Sequence, residues 1–184
     1  MHRAISLGLR ALQLVTAVTV LGLAASMIKS QVFGTAPVTT RYSTFTGGFG
    51  LIVCGVGVIA MFMSFVPSIV PIGLDILAGL FFLGGGIAWA YGLRKTDNCS
   101  SPDGMLLNDL LNRGKLGTGE SAVYGVYQKG DNVDSLYSRL RGICRQGQAG
   151  EILQFISFGI AAGLAVLTFF QGKRGGGGAG RYVA

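Results

Sequence analysis

The chain has 184 residues, of which half are hydrophobic and 12% are charged, and its formal net charge is +7. An average soluble domain carries roughly 25% charged residues, so this composition excludes an ordinary water-soluble protein and indicates a chain that lies in lipid. The 15 Lys and Arg residues are spread over the termini and loops and form no basic helix with interleaved aromatic residues, which argues against a nucleic-acid partner.

The first two predicted transmembrane spans are residues 9–28 and 45–66. The first has 20 residues and a single charge, Arg10. A helix of that length rises ~30 Å, which matches the hydrocarbon core of a bilayer. A cleaved signal peptide is the alternative for this first segment, although such peptides usually have a shorter apolar core. The second span contains no charged residue.

Two prolines, Pro67 and Pro71, are predicted to bracket a tight turn, because proline is poorly tolerated inside a helix. The third span, residues 72–93, would then run antiparallel to the second. The fourth span is predicted at residues 151–170.

A long hydrophilic segment, residues 94–150, separates the third and fourth spans. Residues 133–141 have the apolar spacing of a short amphipathic helix, and residues 106–111 could form another helical turn. We prefer the alternative for both, a solvated loop that folds onto the end of the bundle. The basic, Gly-rich residues 173–184 are expected to be a disordered cytosolic tail.

These elements predict an all-α membrane protein in which residues 1–172 form one domain. Its fold class would be an antiparallel four-helix transmembrane bundle with a long extracellular loop between the third and fourth spans, because helices satisfy their own backbone hydrogen bonds in lipid. An even number of spans places both termini on one side, which we expect to be the cytosol. Basic residues near the termini are then expected to contact anionic headgroups of the inner leaflet: Arg3, Arg10, Lys173 and Arg174.

The three cysteines divide into one inside a span and two in the hydrophilic segment. Cys54 is expected to be a small packing residue. Cys99 and Cys144 are expected to form a disulfide, which requires an oxidising compartment and agrees with an extracellular loop. The alternative is two free thiols in the cytosol. Asn98 begins an N-glycosylation sequon, although a bridged Cys99 would hinder its modification.

Asp75 is the only acidic residue well inside a predicted span. An ionisable residue in the membrane suggests a functional site by default. Asp75 could instead bond Gln13 or Arg10 of the first span, cap an amide near Pro71, or reach headgroup water. We favour structural pairing over a proton or ion site, because no second buried acid or histidine would complete a relay.

Small residues recur at four-residue spacing on two spans, a pattern that lets membrane helices pack closely. The third span carries Gly84, Ala88 and Gly92, and the fourth carries Gly159 and Gly163. We expect a packing role for both sets, with a partner either inside the bundle or in another copy. Motifs for catalysis, metal binding or a cofactor are not found, and the only histidine is at position 2.

The four spans, the expected cytosolic termini, the short loop between the second and third spans and the outer loop with its cysteines resemble a MARVEL domain, and three stretches resemble its fungal branch, the non-classical export protein family. They are Arg10-Ala-Leu-Gln13 at the first span, Leu74-Asp75 with the small-residue stretch up to Asn98-Cys99, and Cys144-Arg-Gln-Gly-Gln-Ala149 before the fourth span. A longer, more charged outer loop and a Gly-rich tail depart from that pattern.

The resemblance implies a non-enzymatic organiser of plasma-membrane microdomains, linked to eisosomes, responsive to sphingolipid and able to influence curvature or protein sorting. Its implied partners are membrane lipids (sphingolipid, sterol or anionic lipid) and further membrane proteins, including copies of itself. The residues leave two alternatives open, a small transporter or channel that uses Asp75, and an accessory subunit of a membrane complex.

Overall fold

The computed structural model describes residues 2–63, 67, 69–117, 122–127, 130 and 132–175, with the side chains of residues 4–170 in that part. These residues form five α-helices and one two-stranded antiparallel hairpin. The elements in chain order are α1 (His2–Lys29), α2 (Val38–Phe62), α3 (Ile69–Leu93), α4 (Pro102–Leu106), β1 (Lys115–Leu116), β2 (Val123–Tyr124) and α5 (Val133–Gly175).

Four helices in the described part, α1, α2, α3 and α5, are long and apolar enough to cross a membrane. They form a ring in which α1 and α3 each pack against α2 and α5, so α1 and α3 stand diagonally across the bundle. The predicted all-α four-helix membrane bundle is therefore confirmed. We call the end that carries residues 94–132 the loop side, and the end where α1 starts the terminal side.

Two predicted boundaries around the second and third spans were wrong. Helix α2 begins at Val38 rather than at residue 45, and its predicted last residues, 64–66, lie outside the described part. Pro71 does not end a turn but lies in the first turn of α3. Proline is tolerated there because the first amides of a helix have no partner within it.

Helix α5 is the largest departure from the predicted organisation. It runs without interruption over 43 residues, which corresponds to ~64 Å, about twice the bilayer core. Residues 133–150 were predicted to belong to a solvated loop, but they are its first half. The predicted tail is helical as far as Gly175, and residues 176–184 lie outside the described part.

The loop side carries a packed layer, formed by the described residues of 94–132 and the first half of α5, which we call the loop-side layer. It has its own hydrophobic cluster, which also includes residues from the ends of α1 and α3: Met27, Trp89, Leu93, Cys99, Met105, Leu111, Val126, Leu136, Leu140, Ile143 and Cys144. The helical turn considered as an alternative at 106–111 does not form, and the short helix α4 lies just before it and ends at Leu106. The segment expected to be a solvated loop is thus a folded cap on the bundle.

Candidate functional site

An ion pair links the diagonal helices α1 and α3 in the interior of the bundle. Arg10 Nη1 and Nη2 donate to Asp75 Oδ1 and Oδ2, both at 2.6 Å. Arg10 is 3% exposed and Asp75 is fully buried. Paired, charge-assisted hydrogen bonds of this kind are short and fix the geometry of both partners.

Gln13 and Cys54 complete the surroundings of this pair. Arg10 Nη1 also donates to Gln13 Oε1 at 2.8 Å, and Gln13 Nε2 lies 3.5 Å from Asp75 Oδ1. The thiol of Cys54 donates to the backbone carbonyl of Arg10 at 3.3 Å. Cys54 is therefore more than a packing residue, because it ties α2 to the same point of α1.

Glycine on α2 makes room for the guanidinium. A Cβ at Gly57 would overlap the Arg10 side chain. Only glycine at position 57 leaves room for the Arg10 side chain of α1.

One proposed role of Arg10 was wrong. We expected it to contact lipid headgroups, but its guanidinium is buried and bound to Asp75. The attraction of a carboxylate in a low-dielectric interior outweighs that of a screened membrane surface. The side chains of Arg3, Lys173 and Arg174 lie outside the described part, so their contact with headgroups stays a prediction.

A second buried polar cluster lies about 21 Å further along α3, towards the loop side. Trp89 Nε1 and Gln154 Nε2 both donate to Ser43 Oγ, at 2.7 and 3.1 Å. Ser43 donates in turn to the carbonyl of Thr39 at 3.0 Å. The cluster connects α2, α3 and α5, so the bundle is held by polar contacts at two levels.

Sequence reasoning missed this second cluster. Its available signal was Gln154, an amide inside an apolar span, which must find a partner because an unsatisfied polar group in lipid is costly. Gln154 Oε1 is buried and has no hydrogen-bond partner among the described residues. It lies against Gly85, where a Cβ would overlap it.

The structure separates the predicted small-residue ladders from the glycines that pack inside the bundle. At Gly159 and Gly163, a Cβ would meet no described atom within 4 Å apart from the adjacent backbone of α5, and Gly84 is exposed beside the Tyr42 hydroxyl. Ala88 is half-buried, and a Cβ at Gly92 would overlap Leu110 of the loop-side layer. The glycines that admit a neighbouring helix are others: Gly47, Gly50, Gly57, Gly85, Gly86 and Gly147.

Cys99 and Cys144 form a disulfide between the turn after α3 and the first half of α5. Their Cα atoms are 5.8 Å apart, and both residues are buried. Asn98 is exposed and has a positive φ of 54°. Its glycosylation stays a prediction. Among the described residues, no group of three His, Cys, Asp or Glu side chains could hold a metal ion.

Four apolar helices joined by buried polar contacts define a multi-pass membrane protein. Residues 3–167 match the model of the MARVEL family, which is described as a membrane-associating domain. The chain belongs to this family. A search of curated proteins found no match, and a search of solved structures found none either.

Proposed function

We propose that this MARVEL protein is a non-enzymatic scaffold that organises microdomains of the plasma membrane. It would assemble laterally through helix faces that contain glycine, in the manner of the eisosome-linked fungal tetraspans that its sequence resembles. Sphingolipid, sterol or anionic lipid would be its lipid partners, and membrane curvature or protein sorting would be its output.

The outward position of Gly159 and Gly163 carries this proposal. Both lie on α5 with open space around them, whereas other glycines serve the packing of the bundle. Gly159 is exposed and Gly163 is half-buried, and a small-residue face that no described helix covers allows close approach by another helix or by lipid. Asp75 gives no support to the transport alternative, because its carboxylate is already neutralised by Arg10.

The proposed orientation places the termini in the cytosol and the loop-side layer outside the cell. The disulfide supports it, because disulfides form in oxidising compartments, whereas basic residues flank the spans on both sides and do not decide the orientation. Arg3, Lys173 and Arg174 would each contribute ~1 kcal/mol of attraction to anionic headgroups.

The double variant Gly159→Leu/Gly163→Leu tests lateral assembly. We expect it to reduce energy transfer between two fluorescently labelled copies in the plasma membrane, because Leu side chains would hold a neighbouring helix away. Thermal stability in detergent should stay near that of the parent protein, since a Cβ at either position meets no described atom of a neighbouring element within 4 Å.

The matched control is Gly22→Leu/Gly48→Leu, on α1 and α2, where a Cβ would also have no described neighbour within 4 Å. It should leave energy transfer unchanged. Equal energy transfer in the parent protein and the α5 variant would refute lateral assembly through this face.

A further inference from the structure

A cleft with a volume of about 500 Å³ opens on the loop side between the end of α3, the turn that follows it, and α5. This volume lies within the range typical of small-ligand sites, about 300–1,000 Å³. Its polar lining includes Arg94, Asp97, Gln148 and Glu151. Both signs of charge therefore line one opening.

The charged side chains of the cleft form no ion pair with one another or with any other described residue. In the part of the chain that the structure describes, neither Arg94 nor Glu151 has a salt-bridge partner. Glu151 is only half-buried, but it is still partly removed from water, and a carboxylate in that position gains from a cationic ligand. The Arg94 guanidinium lies 3.8 Å from the centre of the Tyr91 ring, a cation–π contact that restrains it at the cleft.

The cleft lies where the apolar stretches of α3 and α5 end on the loop side. Helix α3 ends at Leu93, and the apolar part of α5 follows Glu151 directly. Ala90 and Ile152 complete the wall on the membrane side, and Ile152 is 58% exposed. The opening thus has a polar floor and an apolar edge, and an apolar stretch of α5 that spans the bilayer would place this floor near the lipid headgroups.

The turn that forms one wall is conformationally restrained. Asp97, Asn98 and Cys99 all have positive φ angles, of 44°, 54° and 65°. Non-glycine residues seldom adopt this conformation, and it persists only when surrounding contacts impose it. Here the disulfide from Cys99 to Cys144 holds the turn against α5.

We propose that this cleft binds the headgroup of a zwitterionic phospholipid from the leaflet on the loop side. Arg94 would bind the phosphodiester, and Glu151 together with Asp97 would bind the ammonium group. The acyl chains would lie along Ile152. The inference deepens the lipid partnership of the proposed function and rests on it, but lipid binding at this cleft does not require lateral assembly through Gly159 and Gly163, so the two can fail separately.

Native mass spectrometry of the full chain in detergent, titrated with single lipids, tests the proposal. Phosphatidylcholine should bind more tightly than phosphatidylglycerol, which has the phosphodiester but lacks the ammonium group. Glu151→Gln should weaken phosphatidylcholine binding by about tenfold and leave phosphatidylglycerol binding nearly unchanged. Arg94→Gln should weaken both by a similar factor.

Two matched variants control for charge alone. Asp134→Asn removes an exposed acid from the first turn of α5, and Arg41→Gln removes an exposed base from α2, and neither residue lines the cleft. Both should retain the affinity of the parent protein. Thermal unfolding in the same detergent checks that Glu151→Gln and Arg94→Gln remain folded.

Several results would overturn the proposal. One is equal affinity of the parent protein for the two lipids. Another is a Glu151→Gln variant that binds phosphatidylcholine as tightly as Asp134→Asn does. Displacement of the lipid by inorganic phosphate as readily as by phosphocholine would show a simple anion site instead. A comparison of phosphatidylcholine with sphingomyelin, which share the headgroup, tells whether the backbone of the lipid also contributes.

Discussion

The ion pair between Arg10 and Asp75 matters for the stability of the bundle chiefly because breaking it would leave one buried charge unpaired. Bringing two charges into a low-dielectric interior is costly, and their mutual attraction repays that cost only when the geometry is good. Here Arg10 Nη1 and Nη2 each donate to one carboxylate oxygen of Asp75 at 2.6 Å, and Nη1 also donates to Gln13. Removing either partner leaves a buried charge with no counterion.

The variant Asp75→Asn should lower the free energy of unfolding by about 3–5 kcal/mol, because it leaves the Arg10 cation uncompensated. The double variant Arg10→Met/Asp75→Leu should recover most of that loss, since it removes both charges together. Thermal unfolding in detergent micelles measures both effects.

Asp134→Asn is the control for this comparison, because Asp134 is exposed on the loop side, and we expect a change within about 0.5 kcal/mol. A double variant as unstable as Asp75→Asn would mean that the pair stabilises the bundle by attraction rather than by mutual neutralisation.

At the scale of elements, α5 determines how the molecule is divided between membrane and water. Its second half completes the four-helix bundle, and its first half supplies Leu136, Leu140 and Ile143 to the loop-side layer. The first half of α5 would be only marginally stable as an isolated helix in water, because short helices depend on tertiary packing for their stability. The disulfide at Cys144 adds a covalent link to the turn after α3 and closes a long loop, which restricts the unfolded chain.

The continuity of α5 predicts a definite distance across the membrane boundary. Spin labels at Ser138→Cys and Ile156→Cys should lie about 27 Å apart, because 18 residues of α-helix rise by that length. Pulsed electron paramagnetic resonance on the reconstituted protein, with Cys54 replaced by Ala, measures this distance.

The pair Ile152→Cys/Phe170→Cys spans the same number of residues within the apolar half, where both positions are exposed to lipid. It should give the same narrow distribution. A broad or shorter distribution for the first pair alone would place a break in α5 near residue 150 and restore the solvated-loop interpretation.

At the scale of the whole molecule, the structure has two different ends. The terminal side carries the start of α1, with the Arg10–Asp75 pair inside the bundle near that end. The loop side carries a disulfide-linked layer and the charged cleft. The two ends of a bundle that crosses a membrane lie on opposite sides of it, so the property to test is which side the loop-side layer faces.

Cysteine labelling in intact cells tests the proposed orientation. Ser138 is an exposed residue in the first half of α5. Ser138→Cys should react with a membrane-impermeant maleimide, because we place the loop-side layer outside the cell. Ala4→Cys, near the start of α1, should react only after permeabilisation. The reverse pattern would put the disulfide in the cytosol and contradict the orientation.

The sequence alone was sufficient for the four spans and the family. Apolar runs of membrane length are a local property of composition, and lipid requires each to be a helix, so long-range contacts are not needed to recognise them. Pairing of Asp75 with Arg10 or Gln13 could also be proposed from the sequence, because these are polar residues of the first span that lie close to the terminal side.

Only the tertiary structure revealed which glycines pack against a neighbouring helix, that residues 133–150 are helical, and where the cleft lies. Which glycines face a neighbouring helix depends on how each helix is rotated in the bundle, and rotation is set by packing partners distant in sequence, as Gly85 shows with Gln154. Residues 133–150 are helical because their apolar side chains meet a core assembled from α1, α3 and the loop. The cleft exists because α3 ends where the polar part of α5 passes beside it. The sequence identifies a membrane protein of this family, and the three-dimensional packing determines where its charged side chains lie.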